Sequence, residues 1–301
     1  MFNRNIKKSI LFVFLAFLFS WGVFAAIYFG GFEWAKTNSA VLIVSYMFGP
    51  LLSAFIVQKI IYKEDFAGPL GISIKINGWF ISAFLIPLII VLGAFAASML
   101  FNNVYYTPDM SGLIERSRGT ISSYDFKRLR QLVAISGVHP IWREIARAVI
   151  AGGSVFAFVA FGSEAGWRGF LYKEIGYFGF WRSSVLIGII WGIWNIPLAL
   201  VSNYNPRHFS EGIIMMAAFY ILLSPVLTYI RVKAKSAVAP SVICGIIYYC
   251  RALNIDTMLI GGGSDLTVGV FGLSGFIVLG ALNLLLFIYN NLILKMQYRV
   301  L

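Results

Sequence analysis

The chain has 301 residues, of which 59% are hydrophobic and only 12% charged, and its mean hydropathy is +0.83. That balance is far more apolar than an ordinary globular domain, and a soluble fold of this length could not bury it. The formal charge of +12 does not indicate nucleic acid, because Lys and Arg sit mainly at the ends of apolar runs, where they meet phospholipid headgroups and set orientation. No nucleic-acid partner is expected.

The chain opens with MFNRNIKKSI and a long apolar run at 9–30. No small-residue cleavage site ends that run, so it reads as an uncleaved first span rather than a signal peptide. Further apolar runs follow at 40–61, 79–101, 142–162, 183–202, 212–231, 236–252 and 270–294. Each is near the ~20 residues a helix needs to cross a bilayer. Backbone pairing in hydrocarbon leaves helices as the state for such runs, since barrel strands would be shorter and would alternate. The expectation is an all-α fold, a polytopic transmembrane bundle of about eight helices, forming a single integral membrane domain over 1–301 surrounded by membrane lipids.

Eight spans put both termini on one side. Arg4, Lys7, Lys8, Lys59, Lys63, Lys75, Lys173, Arg182, Arg231, Lys233, Lys235, Lys295 and Arg299 all fall on that side. By the positive-inside rule it is the cytoplasm, which predicts a multi-pass cell-membrane protein with cytoplasmic termini. The loop at 102–141 opposes this, because it carries Arg116, Arg118, Lys127, Arg128 and Arg130 on the other side. Its segment SSYDFKRLRQLVAI reads either as an amphipathic helix on the headgroups or as a solvated connection.

Polar residues inside a span are costly, so each is a site hypothesis. Glu164 and Arg168, in FGSEAGWRGFLY at the end of the fourth run, stand four apart and can share a helical face. A structural ion pair at the membrane boundary explains them equally well. Asn195 lies two residues before Pro197, whose missing donor permits a kink that the amide could serve. Cys244 and Tyr248 share a face of the seventh run, where buried packing is the plain alternative. Cys244 and Cys250 both fall in or beside that run, which suits buried free thiols better than a disulfide framework. The result is a polar pocket built from spans four, five and seven. No cofactor or metal is expected: the sequence has no His or Cys cluster at ligand spacing, no glycine-rich phosphate loop, and only two histidines, His139 and His208, both in predicted loops.

At these positions the chain resembles the CPBP family, the bacterial and archaeal relatives of the CAAX prenyl proteases and of bacteriocin-processing or immunity proteins, also called the Abi family. The resemblance covers roughly residues 140–295. The family's EExGWRGFL motif aligns with Ser163 through Leu171, and its WGxWHxPL motif with Trp191 through Leu198. An Ala-Pro-Ala-x-x-His-Gly-x-x-Asn type sequence is similar to Ala239–Tyr248, and GGGSDLTVGVFGL at 261–273 resembles the lead into the last span.

In active members the resemblance implies a glutamate-dependent intramembrane endopeptidase. A Glu and a span-five His activate water, and a span-seven His and Asn stabilise the oxyanion. Here the first Glu is Ser163, the span-five His is Asn195, and the span-seven His and Asn are Cys244 and Tyr248. A slip of one residue would put Gly245 and Tyr249 there instead, and neither register restores the family's residues. The packing residues Gly166, Trp167, Gly169, Gly192, Trp194, Pro197 and Gly245 remain. Losing a base and its partner removes several orders of magnitude in rate, because such groups act as a unit.

The sequence therefore reads as a pseudoprotease that binds or regulates a membrane-protein or peptide-tail partner. The competing reading is an active endopeptidase, or a related acyl-transfer enzyme, with Glu164 as base, Asn195 as oxyanion donor and Cys244 as nucleophile. A transporter or lipid-binding bundle with helices broken at Pro197 and Pro225 is the third.

Overall fold

The structure is a computed structural model describing residues 2–30, 39–108, 111–112, 138–201, 208–253, 258–261 and 266–290. The segment 122–135, read as either amphipathic helix or loop, lies outside the described residues. So do the basic residues of the 102–141 loop named above, and Lys295 and Arg299.

The described residues are almost entirely helical. In chain order they are α1 (Phe2–Phe29), α2 (Ser39–Phe55, continued as a π-helical turn over Ile56–Ile61), the short α3 (Ala67–Leu70), α4 (Gly78–Ser98), α5 (Pro140–Phe178), α6 (Phe180–Trp194), α7 (Ile196–Val201), α8 (Phe209–Ala234), α9 (Val238–Leu253) and α10 (Leu273–Ile288). The only sheet among them pairs β1 (Tyr105–Tyr106) antiparallel with β2 (Leu259–Ile260). Helices α1, α2, α4, α5 and α8 are long and apolar enough to cross a membrane, and α6, α9 and α10 are shorter apolar helices. At 1.5 Å per residue the short ones reach about 22–24 Å, less than the ~30 Å hydrocarbon core. α7 extends α6 past the interruption at Asn195.

The bundle is apolar outside and partly polar inside, the inverse of a soluble fold. Ile10, Phe14 and Leu18, spaced four apart on α1, are 65%, 61% and 53% exposed. Ser53, Gln58, Ser98, Glu164, Arg168 and Ser224 are completely buried.

α5 departs most from expectation. The fourth run ends at 162 by hydropathy, yet the helix continues to Phe178, alternating α-helical and π-helical turns and closing in a 3-10 turn. The GSEAGWRG composition depresses hydropathy, but packing carries the helix on. A Cβ at Gly162 would stand 2.7 Å from the Met47 carbonyl oxygen, and one at Gly166 would stand 2.5 Å from Pro50 Cβ. Only glycine lets α2 approach this closely. Glu164 and Arg168 therefore lie inside a long helix, not at its boundary.

One end of the bundle is tied by charge. Glu64, just after α2, receives Lys8 Nζ at 2.6 Å on both carboxylate oxygens, Arg4 at 3.0 Å and Lys173 at 3.5 Å. Lys173 also reaches Glu174 at 3.0 Å and Gln58 Oε1 at 2.9 Å. Ala237 N donates to the Gly71 carbonyl, and Asn77 Nδ2 to that of Ala234, so the start of α4 and the α8–α9 connection join the same end. The structure thus gathers Arg4, Lys8, Lys173 and the end of α8 at one end of the bundle. At the other end β1 and β2 pair, and Ser98 accepts from Gly269 N at 3.0 Å and contacts Ser274 Oγ at 2.9 Å.

Candidate functional site

Glu164 lies nine residues before Lys173, about 14 Å along the helix. Its Oε1 accepts from Arg168 Nη1 at 2.7 Å, and both side chains are 0% exposed. The i,i+4 spacing makes this pair, as the sequence suggested.

Around the pair the bundle supplies aromatic walls. The Arg168 guanidinium lies over the Trp191 ring of α6, 4.2 Å from its centroid. Trp191 packs on Tyr220 of α8 at 4.2 Å, Trp167 meets Trp194 edge to face at 5.6 Å, and Tyr46 of α2 covers Trp194 at 4.6 Å. The Tyr46 hydroxyl and the Trp21 indole both donate to the Trp194 carbonyl. That carbonyl belongs to the last turn of α6, where helical partners run out. Trp167, Trp191 and Trp194 are all fully buried.

From α9, the Cys244 thiol lies near the Glu164 carboxylate, and the Tyr248 hydroxyl, which has no hydrogen-bond partner in the protein, lies near the Tyr220 phenol in the same pocket. One residue along, Gly245 fits against the Ala157 backbone and the Gly152 carbonyl of α5, and Tyr249 packs edge to face on Phe156 at 5.5 Å. The geometry therefore selects the register that puts Cys244 and Tyr248, not Gly245 and Tyr249, toward Glu164.

Two expected site residues turn away. Asn195 Nδ2 donates to the Trp191 carbonyl at 2.9 Å, one turn back, and its own backbone N–H donates to the same oxygen at 3.1 Å. Its amide caps the interrupted end of α6, the kink-serving role. Ser163 Oγ donates to the Ala160 carbonyl at 2.9 Å and is fully buried. Both histidines are remote. His139 caps the start of α5 and contacts the Tyr106 hydroxyl at 2.6 Å, and His208 precedes α8, about 18 Å of helix from Tyr220.

Among the described residues no three His, Cys, Asp or Glu side chains gather as metal ligands. Several buried polar atoms have no hydrogen-bond partner in the protein: Glu164 Oε2, Arg168 Nε and Nη2, and the indole nitrogens of Trp167, Trp191 and Trp194. Chemically, the pocket offers one carboxylate already bound to a cation, a shielded thiol, and phenols. It offers no imidazole to move a proton, and the side-chain amide of Asn195 is committed to a helix carbonyl.

Sequence reasoning placed the pocket on spans four, five and seven and missed α8 and α2. Tyr220, a phenol inside an apolar run, was the available signal for α8. Tyr46, a phenol inside the second apolar run, was the same kind of signal for α2.

Outside the membrane-spanning segments the charged end has its own electrostatics. Burial pushes the Glu64 carboxyl up, but the hydrogen bonds and charges of Lys8 and Lys173 outweigh it and hold the group below its usual range.

Residues 145–249, which carry the Glu164, Trp191 and Cys244 segments, match the family described as Type II CAAX prenyl endopeptidase Rce1-like. A curated relative, CAAX prenyl protease 2 of Methanococcus maripaludis, is 27% identical over 85 residues. The match spans 27% of this chain and 31% of that protein.

Proposed function

We propose that this chain, a membrane protein with an Rce1-like core of the CPBP family, is a pseudoprotease that keeps the bundle to bind or regulate a membrane-protein or peptide-tail partner. The closed Glu164–Arg168 pair carries the reading. A general base must reach its water with a free lone pair and a site to receive the proton. Here Oε1 is held by Arg168, Oε2 is shielded from solvent, and the chain's two histidines are elsewhere. The positions that would complete the family's machinery, Ser163, Asn195, Cys244 and Tyr248, supply a backbone-bonded hydroxyl, a helix cap, a buried thiol and a phenol.

Orientation follows the same proposal. The charged end of the bundle, with Arg4, Lys8, Lys173 and Arg231, faces the cytoplasm by the positive-inside rule, and the protein resides in the cell membrane. Bacteriocin processing or immunity, known for some family relatives, is one context for such a partner-binding role.

The second reading, an active endopeptidase or acyl-transfer enzyme, is favoured by one observation: Cys244 lies near Glu164, a thiol beside a carboxylate. The two readings separate in cells. Newly created protein termini are compared by mass spectrometry in cells without the chain, with the natural chain and with Glu164→Ala. No difference among the three supports the pseudoprotease; termini that need the Glu164 carboxylate reject it.

A further inference from the structure

Arg231 stands in the last turn of α8, half-buried, with no carboxylate against it among the described residues. Its Nε is buried without a hydrogen-bond partner. The terminal nitrogens Nη1 and Nη2 also lack a partner among the described residues, but they are open to the surroundings. Gly71, between α3 and α4, sets their position: a Cβ there would stand 2.4 Å from Nη2 and 2.9 Å from Nη1, and its φ of +67° suits glycine. Gly71 is itself held by Ala237 N, which donates to its carbonyl at 2.8 Å. The Tyr172 side chain of α5 lies within electrostatic reach of the same guanidinium.

Elsewhere at this end, the carboxylates of Glu64 and Glu174 are bound by Arg4, Lys8 and Lys173. Residues 66–108 and 212–255 contain no Asp or Glu, so the α3–α4 and α8–α9 connections bring only the positive charges of Lys75 and Lys235. The same corner meets lipid. Ile74 and Ile76, on either side of Lys75, are 70% and 79% exposed, and such bare apolar residues suit a membrane surface rather than water. Lys233 Nζ lies 5.9 Å from the Trp79 ring centroid and 5.6 Å from that of Tyr229. Aromatic rings beside basic side chains are the composition of the headgroup layer.

We propose that Arg231, with Tyr172 beside it, is a receptor for the phosphate of an anionic phospholipid. The planar guanidinium presents Nη1 and Nη2 as a pair of donors that fits two phosphate oxygens. A basic pocket between membrane helices at the headgroup level takes such lipids, and here no nearby carboxylate competes for the cation. The lipid's chains stay in the bilayer, beside the exposed isoleucines. The site is separate from the Glu164–Arg168 pocket and does not depend on what that pocket does.

The purified full chain in neutral detergent is titrated with dioleoylphosphatidylglycerol, with zwitterionic dioleoylphosphatidylcholine, and with inorganic phosphate. Binding is read as a rise in the thermal unfolding midpoint with concentration. The phosphatidylglycerol should act at about one-tenth of the concentration that the phosphatidylcholine needs, and inorganic phosphate at that concentration should do nothing. Arg231→Gln should bring the two lipids level. Tyr172→Phe keeps the ring and should weaken phosphatidylglycerol binding about threefold. Lys59→Gln removes an exposed charge at the same end and should change it by less than about twofold.

Equal affinity for the two lipids overturns the proposal. So does a preference that survives Arg231→Gln, or one that Lys59→Gln removes as fully, since the lipid then answers to the charge of the whole end. If Arg231→Gln does not fold, Tyr172→Phe decides, and unchanged phosphatidylglycerol affinity in that variant rejects the site. Inorganic phosphate acting at the lipid's own concentration rejects the lipid as the source of the phosphate. None of these outcomes bears on peptide cleavage, so the pseudoprotease reading is tested apart from them.

Discussion

Arg168 Nη1 donates to Glu164 Oε1 at 2.7 Å across one helical turn, with neither side chain exposed. As a general base, a glutamate here would take a proton from a water that attacks the scissile carbonyl. Here it balances a buried cation, and each member of the pair is the other's principal partner.

Removing one member should therefore be far worse than removing both. Glu164→Leu or Arg168→Met leaves an uncompensated charge and should cost about 3–5 kcal/mol of stability. The double replacement Glu164→Leu with Arg168→Met should recover most of that loss, as buried pairs replaced by apolar groups of similar volume do. Unfolding in detergent, compared across the four chains, measures the coupling; additive losses would mean the two residues stabilise the bundle independently.

The charged end should give a pH signature. The folded carboxyl of Glu64 is held below its usual range by Lys8 and Lys173. A depressed folded value contributes stability above the unfolded value, and that contribution disappears as pH falls through the folded one. Thermal midpoints from pH 7 down to pH 3 should decline through the acid range, and Glu64→Gln should be lower at pH 7 and decline less.

Close helix packing should be sensitive to single methyl groups at chosen glycines. A Cβ on Gly245 would strike the Ala157 backbone nitrogen and the Gly152 carbonyl, whereas one on Gly280 meets nothing within 4 Å. Gly245→Ala should cost about 1–3 kcal/mol by overpacking, and Gly280→Ala should be neutral or slightly stabilising. Paired melting curves decide it.

Cys244 is 0% exposed. A maleimide added to the folded protein in nanodiscs should leave that thiol unmodified for as long as the chain stays folded, and should modify it after denaturation. Rapid labelling of Cys244 in the native chain would support the active-enzyme reading, because a nucleophilic thiol needs access and a thiolate.

Much of the fold was legible because lipid imposes a simple rule: long apolar runs must be helices. The misjudged end of the fourth run shows where that rule weakens. Gly162, Ser163, Glu164 and Gly166 lower hydropathy, but the glycines serve contact with α2 and the polar groups are internal. The i,i+4 spacing revealed Glu164 and Arg168. Choosing between Cys244 and Gly245 needed the packing of α9 on α5, since one residue of rotation separates the two registers. Trp191 as a platform for Arg168 was not legible, because a helix apolar on all sides has no periodicity to say which face turns inward.

The most direct test is hydrolysis of a farnesylated CAAX-type reporter peptide by the purified chain in nanodiscs, with Glu164→Ala and empty discs alongside. The pseudoprotease account expects all three to release the same background of product. Cleavage by the natural chain that Glu164→Ala abolishes, in a variant shown to be folded, would contradict it.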